Sequence, residues 1–215
     1  MNLQHSCPLC LSTANFFWQS DKKENYYACK TCEGIFLSPQ NRLSKAKEFE
    51  RYQLHENDVN DPDYQNFVNP IIQAVQKDFS TNTIGLDFGC GSGPVAAKML
   101  RDKNYQVNLY DPFFYKKPES LKKQYDFIVC CEVMEHFYHP KTEFEKLYSL
   151  LKPKGKLYCK TSLMSEEIVN NFGEWFYKDD PTHVFLYTPK TLEIIQKNYR
   201  FSSFQIAKDF IVFQK

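Results

Sequence analysis

No stretch of this chain approaches the ~20 consecutive apolar residues that a bilayer-spanning helix needs, and the opening MNLQHSCPLC has no basic region leading into an apolar run. Those two absences predict a soluble, cytoplasmic protein with no membrane partner. A dominant charge is missing as well: 27 Lys and Arg stand against 26 Asp and Glu, a net +1 over 215 residues. No broad basic field advertises nucleic acid, and no acidic tract reads as a solvating tail. Internal repeats and low-complexity tracts are also absent. At this length the expectation is one principal domain with room for a small appendage.

What the chain does have is cysteine, in two unlike groups. Cys7, Cys10, Cys29 and Cys32 form two C-x-x-C knuckles, CPLC and CKTC, separated by eighteen residues. Each knuckle points two thiolates at one tetrahedral centre, which is the spacing of a structural zinc site. Without a secretion signal, disulfides are the weaker reading. Between the knuckles, NFFWQS and NYYACK alternate aromatic and polar residues as hairpin strands do. Residues 1–40 therefore read as a zinc ribbon too small to hold a core without its metal. The spacing leaves open whether it binds substrate or docks on the rest of the chain. Cys90, Cys130, Cys131 and Cys159 sit in apolar surroundings and read as packing residues.

Residues 41–80 form a helical linker expected to pack on the main domain. NRLSKAKEFERYQ is charged and Pro-free, NDVNDPD breaks it, and YQNFVNPIIQAVQKDF then places Phe67, Ile71, Ile72, Val75 and Phe79 at helical spacing, with Pro70 as a kink position. Residues 81–215 open with TIGLDFGCGSGP, a strand that runs into Gly89, Gly91 and Gly93 ahead of the helical VAAKMLRDK. Glycines let a backbone approach a ligand closely, and the following helix start presents free N–H groups. Pro94 suits the first helical turn. Asp87, two residues before the first glycine, would repel a pyrophosphate but suits a cationic ligand.

LDFGCGSG resembles the first motif of the Rossmann-like S-adenosylmethionine-dependent methyltransferases. Three further features follow in the order that the resemblance implies: Asp111 closing YQVNLYDP as a ribose acceptor, the strand YDFIVCCEV leading to a helix near EH, and LKPKGKLYCKT, similar to the family's L-K-P-G-G turn and fifth strand. The implied fold is an α/β Rossmann-like sheet, mostly parallel with its last strand antiparallel, and FSSFQIAKDFIVFQK supplies the closing hairpin, two strands separated by a Lys-Asp turn. Asp87, Gly89, Gly91, Gly93, Asp111 and Glu132 are the implied cofactor residues. Only PFFYKKPESLKKQY separates Asp111 from Asp126, so the third strand is expected to be short or lost, with Phe113 and Phe114 either at the adenine or packed at the edge.

The acceptor side centres on CCEVMEHFYHP. In a helical turn Glu132, Glu135 and His136 stand at i, i+3 and i+4 and share a face. With His183 from DPTHVFLYTPKTLEII, the E-x-x-E-H set resembles metal-dependent methyltransferases acting on the 3′-terminal ribose of small RNAs, and in its first part the ubiquinone-pathway O-methyltransferases. That resemblance implies Mg or Mn held by Glu132, Glu135, His136 and His183; the alternative is a metal-free catalytic set in which these groups contact the acceptor or take its proton. His139 is expected on an exposed turn. Residues 162–189 form an aromatic insertion in which Trp175, Phe176 and Tyr177 either wall the acceptor or pack. The expected function is O-methylation of a small-molecule acceptor; the alternative is an RNA methyltransferase whose ribbon grips RNA through Lys22, Lys23 and Lys30.

Overall fold

Strand alternation and helical stripes resolve into two sheets in the computed structural model, which describes residues 4–54, 58–208 and 210–215. Asn57, the first residue of the expected NDVNDPD break, and Asp209 of the expected Lys-Asp turn lie outside the described residues. The ribbon comprises β1 (Gln4–Ser6), β2 (Thr13–Gln19), β3 (Asn25–Cys29) and β4 (Ile35–Leu37), paired antiparallel in that order. Two helices follow, α1 (Lys45–Gln53) and α2 (Pro62–Asp78). The larger unit then runs β5 (Ile84–Phe88), α3 (Val95–Arg101), β6 (Gln106–Tyr110), β7 (Tyr125–Cys131), α4 (Pro140–Leu150), β8 (Leu151–Lys160), α5 (Glu166–Asn170), β9 (Phe185–Leu186), α6 (Pro189–Asn198), β10 (Ser203–Ile206) and β11 (Ile211–Gln214).

The main sheet has the order β10-β11-β8-β7-β5-β6, parallel from β8 to β6 and antiparallel at β11 and β10. Between β6 and β7 the described chain makes only a 3-10 turn at Pro118–Lys122, so the third strand is missing from this sheet. On β7, successive side chains face opposite layers, as pleating requires. Ile128 and Cys130 join Phe144, Leu147, Leu192 and Ile195 of α4 and α6, while Phe127 and Val129 join the stripe Val68, Ile71, Ile72 and Val75 of α2. Burying such a side chain is worth roughly 1.5–3 kcal/mol, so the β7 alternation fixes both helical layers.

Two local expectations change. The first helix starts at Lys45 rather than Asn41, because Pro39 opens a separate 3-10 turn and Ser44 caps α1 by accepting the Lys47 N–H. Phe67 lies outside the α2 core stripe, where Val68 takes its place, and its ring sits 3.7 Å from the Lys160 ammonium. Pro70 is contained within α2, which runs unbroken past it.

The ribbon docks rather than stands apart. β4 pairs antiparallel with β9, Ile35 opposite Leu186 and Phe36 opposite Phe185. Hydrogen bonds from Tyr199 to the Leu9 carbonyl (2.7 Å), Thr191 to the Cys32 carbonyl (2.8 Å) and Tyr26 to the Lys178 carbonyl (3.2 Å) sew the seam. Tyr26, Ile35 and Leu37 share a core with Phe172, Trp175 and Tyr177 of the insertion. Among the described residues, no helix is long and apolar enough to cross a membrane.

Candidate active site

A cleft of about 1060 Å³ opens at the carboxyl ends of β5, β6 and β7, where open α/β sheets place their ligands. Its glycine-loop wall is built locally. After β5 the chain turns through Gly89 at φ 74° and Gly91 at φ 63°, the left-handed region that glycine reaches without strain. At Gly89 a Cβ would also meet the Val133 side chain at 2.6 Å. Asp87 is 4% exposed and accepts the Ala97 N–H at 3.0 Å, so it holds the start of α3 as well as lining the cleft. Burial pushes its carboxyl up to about 7. Asp111 closes β6 and accepts three backbone N–H groups, from Gly91, Phe113 and Phe114, which ties the glycine loop to the strand end. Phe113 and Phe114 line the cleft and pack on Phe49 of α1, at ring separations of 5.8 and 5.6 Å.

The opposite side of the cleft is assembled from distant segments. The expected helical turn at Glu132–His136 is not formed. Glu132 kinks to φ 52° with its N–H on the Lys160 carbonyl, a 3-10 turn spans Met134–His136, and the helix begins only at Pro140. Glu132 and Glu135 are instead joined by Tyr177, whose hydroxyl lies 3.1 Å from Glu132 Oε2 and 2.7 Å from Glu135 Oε1. Thr161 Oγ1 stands 3.1 Å from the same hydroxyl. One phenolic proton serves one carboxylate at a time. Burial, with the neighbouring charge of Glu135 adding to it, pushes Glu132 up to about 8, and burial raises Glu135 as well.

Both histidines are held by backbone carbonyls. His136 Nδ1 is 3.0 Å from the Thr182 carbonyl, and His183 Nδ1 is 2.6 Å from that of Tyr177. A carbonyl only accepts, so in each neutral ring Nδ1 carries the hydrogen and Nε2 keeps its lone pair. Burial, reinforced by the neighbouring His136, pushes the His183 pKa down. Glu135 Oε1 is 3.8 Å from His136 Nε2, and one ligand atom each from Glu135, His136 and His183 lie within 4.8 Å of one another. Glu135 is fully buried, and its Oε2 has no hydrogen-bond partner among the described residues. Glu132 stands outside this triad and reaches it through Tyr177.

The remaining candidates separate. His139 is exposed at the N-terminus of α4 and lines the cleft. Trp175 packs into the ribbon seam, Phe176 is 75% exposed, and Tyr177 enters the polar network, so none of the three walls the cleft. Sequence reasoning missed Glu48 and Tyr52 of α1, as well as Cys90 and Cys131, all of which line it. The i, i+4 spacing of Glu48 and Tyr52, beside Phe49, was the available signal for one inward-facing helix edge.

In the ribbon all four knuckle cysteines converge. Cys7 and Cys32 sulfurs are 3.6 Å apart, Cys10 and Cys29 are 3.4 Å apart, and the four lie within 4.8 Å of one another. Ligand sulfurs of a tetrahedral site with ~2.3 Å metal–sulfur bonds stand about 3.8 Å apart, so the set fits zinc. Leu11 and Glu33, each just past the second cysteine of a knuckle, take left-handed φ and donate their N–H to Cys7 and Cys29 carbonyls.

A parallel sheet with glycine loop, β6-end carboxylate and antiparallel closing hairpin defines a Rossmann-like methyltransferase. A family model described as a methyltransferase domain matches residues 61–202, and the chain belongs to that family. Among solved structures, it is similar to human N-acetylserotonin methyltransferase in complex with S-adenosylmethionine (TM-score 0.51, 16% identity, covering 80% of this chain and 56% of that one). Similar too are an S-adenosylmethionine-dependent methyltransferase from Methanosarcina mazei (0.50, 20%, covering 68% and 97%) and an O-methyltransferase family protein from Burkholderia thailandensis (0.52, 11%, covering 76% and 60%). At these identities the likeness is one of fold, and the chain spans little more than half of the human enzyme's length. No curated protein matches the sequence.

Proposed function

We propose that this chain transfers the methyl group of S-adenosylmethionine to a hydroxyl oxygen of a small-molecule acceptor. The observation that carries the reading is the convergence of Glu135, His136 and His183 beside the same cleft that the glycine loop and Asp111 line. When bound, the sulfonium donor supplies a methyl group that is electrophilic without further activation. What is left to the chain is alignment, exclusion of water and removal of one proton. His183 suits the proton: burial keeps it neutral, the Tyr177 carbonyl fixes its tautomer, and Glu135 favours the ring once it is charged. As the carbon–oxygen bond forms and the carbon–sulfur bond breaks, the acceptor's proton passes to His183 Nε2. The solved O-methyltransferase family protein supports oxygen as the accepting atom, and the balanced net charge supports a small acceptor over a polynucleotide.

A second reading is favoured by the partnerless Glu135 Oε2. The same three side chains would hold a divalent ion, and a carboxylate with two imidazoles suits Mg, Mn or Fe. Each Nδ1 held on a carbonyl is the outer-sphere arrangement that presents Nε2 to a metal. Such an ion would lower the pKa of the acceptor hydroxyl.

Labelled donor offered to separate metabolite and RNA pools, with and without added Mg or Mn after zinc-preserving dialysis, tests both readings. Label is expected in a small molecule, with a loss of at least about a hundredfold in the Glu135→Ala, His183→Ala double variant. Full activity in that variant removes both the base and the metal role. Label confined to RNA selects the ribbon as an RNA clamp instead.

A further inference from the structure

Hydrogen-bond capacity at the end of β6 falls short of what a ribose requires. A carboxylate offers about four acceptor positions. Three of those on Asp111 are filled by backbone, Gly91 N–H on Oδ2 at 3.0 Å and the Phe113 and Phe114 N–H groups on Oδ1 at 2.8 and 3.0 Å. One position, on Oδ2, is left for a sugar that brings two hydroxyl donors.

α1 brings a second carboxylate to the same cleft. Its sequence KAKEFERYQ reads as a solvated helix, yet Glu48 is only 8% exposed and lines the cleft. Among the described residues it forms no ion pair; Tyr52 donates to its Oε1 at 3.0 Å, and no hydrogen bond reaches its Oε2. Glu48 Oε2 is not among the buried side-chain atoms left without a partner, so it opens to the cleft with its acceptor capacity unused. Its neighbour Phe49 packs on Phe113 and Phe114, the two residues whose N–H groups hold Asp111 Oδ1. Burial pushes the Glu48 carboxyl up, and the charge of Asp111 adds to the effect, so the two groups face one electrostatic environment. The far end of α1 is tied down by Arg51, which donates to Asp180 at 2.8 Å.

We propose that Glu48 recognises the donor's ribose, accepting one of its hydroxyls while the open position on Asp111 accepts the other. This rests on S-adenosylmethionine being the donor. It also makes α1 part of the donor site, so that a bound nucleoside fastens the helix across the cleft.

Calorimetric titration of the full zinc-loaded chain with S-adenosylhomocysteine and its 2′-deoxy and 3′-deoxy analogues is the test. In the wild type each deoxy analogue is expected to bind about tenfold more weakly than the parent. Glu48→Ala weakens the parent by a similar factor, while the analogue lacking the hydroxyl that Glu48 accepts binds wild type and variant alike. Glu48→Gln, which keeps an oxygen for Tyr52, also weakens the parent, separating recognition from the holding of α1. Equal affinity of wild type and Glu48→Ala for the parent overturns the proposal, as does an equal loss across all three ligands, the signature of a packing role. Absence of any S-adenosylhomocysteine binding by the wild type overturns the donor reading, and this proposal with it.

Discussion

On the proposed reading, the donor wall of the cleft is made mostly by neighbours in sequence, joined there by Glu48 of α1, and the acceptor wall by segments drawn from the whole chain. Asp87, Gly89, Gly91 and Asp111 lie within one strand-turn-helix-strand unit. Glu135, Tyr177 and His183 are held together by β7, the insertion and, behind it, ribbon residues Tyr26, Ile35 and Leu37. On that reading, the four-cysteine ribbon backs the acceptor wall. It supports the segment that positions Tyr177 and His183, while its Cys7, Leu9 and Phe36 also share a core with Leu86 and Phe88 of β5, the strand that leads into the glycine loop.

Loss of zinc should separate the walls most sharply. Structural zinc contributes roughly 10–16 kcal/mol to the fold of an isolated finger, so Cys32→Ser is expected to lower turnover by more than about a hundredfold. S-adenosylhomocysteine affinity, read by calorimetry, should stay within about threefold; an equal loss of both would break the distinction. Asp111→Ala strikes the other wall. It removes the acceptor of three N–H groups, and affinity for the same ligand should fall about fiftyfold. Tyr177→Phe should cut kcat about tenfold and leave that affinity unchanged, because it unlinks Glu132 from Glu135 without touching the donor wall.

The smallest effect is on pH dependence. Asp87 titrates near 7 in the fold against an ordinary 3.8, so its contribution to stability is complete below about pH 3.8 and is lost as pH rises through 7. In that window the native chain binds more protons than the unfolded one, and stability falls with rising pH. Thermal melts of Asp87→Asn should therefore show a shallower decline between pH 4 and 7 than wild type; parallel curves would place the Asp87 titration elsewhere.

The same contrast explains what could be read in advance. LDFGCGSG and Asp111 are legible because their chemistry is local: two glycines at positive φ and a carboxylate at a strand end leave a mark in consecutive letters. The lost third strand was legible from the short gap between Asp111 and Asp126. Tyr177 bridging two glutamates was not, since a buried phenol and a packed one look alike in sequence. Nor was the kink at Glu132, where a non-glycine residue takes a left-handed φ that helical spacing cannot foresee. Glu48 was hidden by a charged pattern, because the packing of its neighbour Phe49 on Phe113 and Phe114 is decided some sixty residues downstream.

The pairing of β4 with β9 carries a consequence for assembly. Ile35 and Leu186 meet in register across most of the sequence, a contact whose loop-closure cost grows with that separation. On the ribosome, where chains emerge at about 5–20 residues per second, the ribbon must wait for its last strand long after its own cysteines are available. A ribbon that closes on zinc early would therefore be a folded platform with one open edge, waiting to template the insertion that finishes the catalytic cleft.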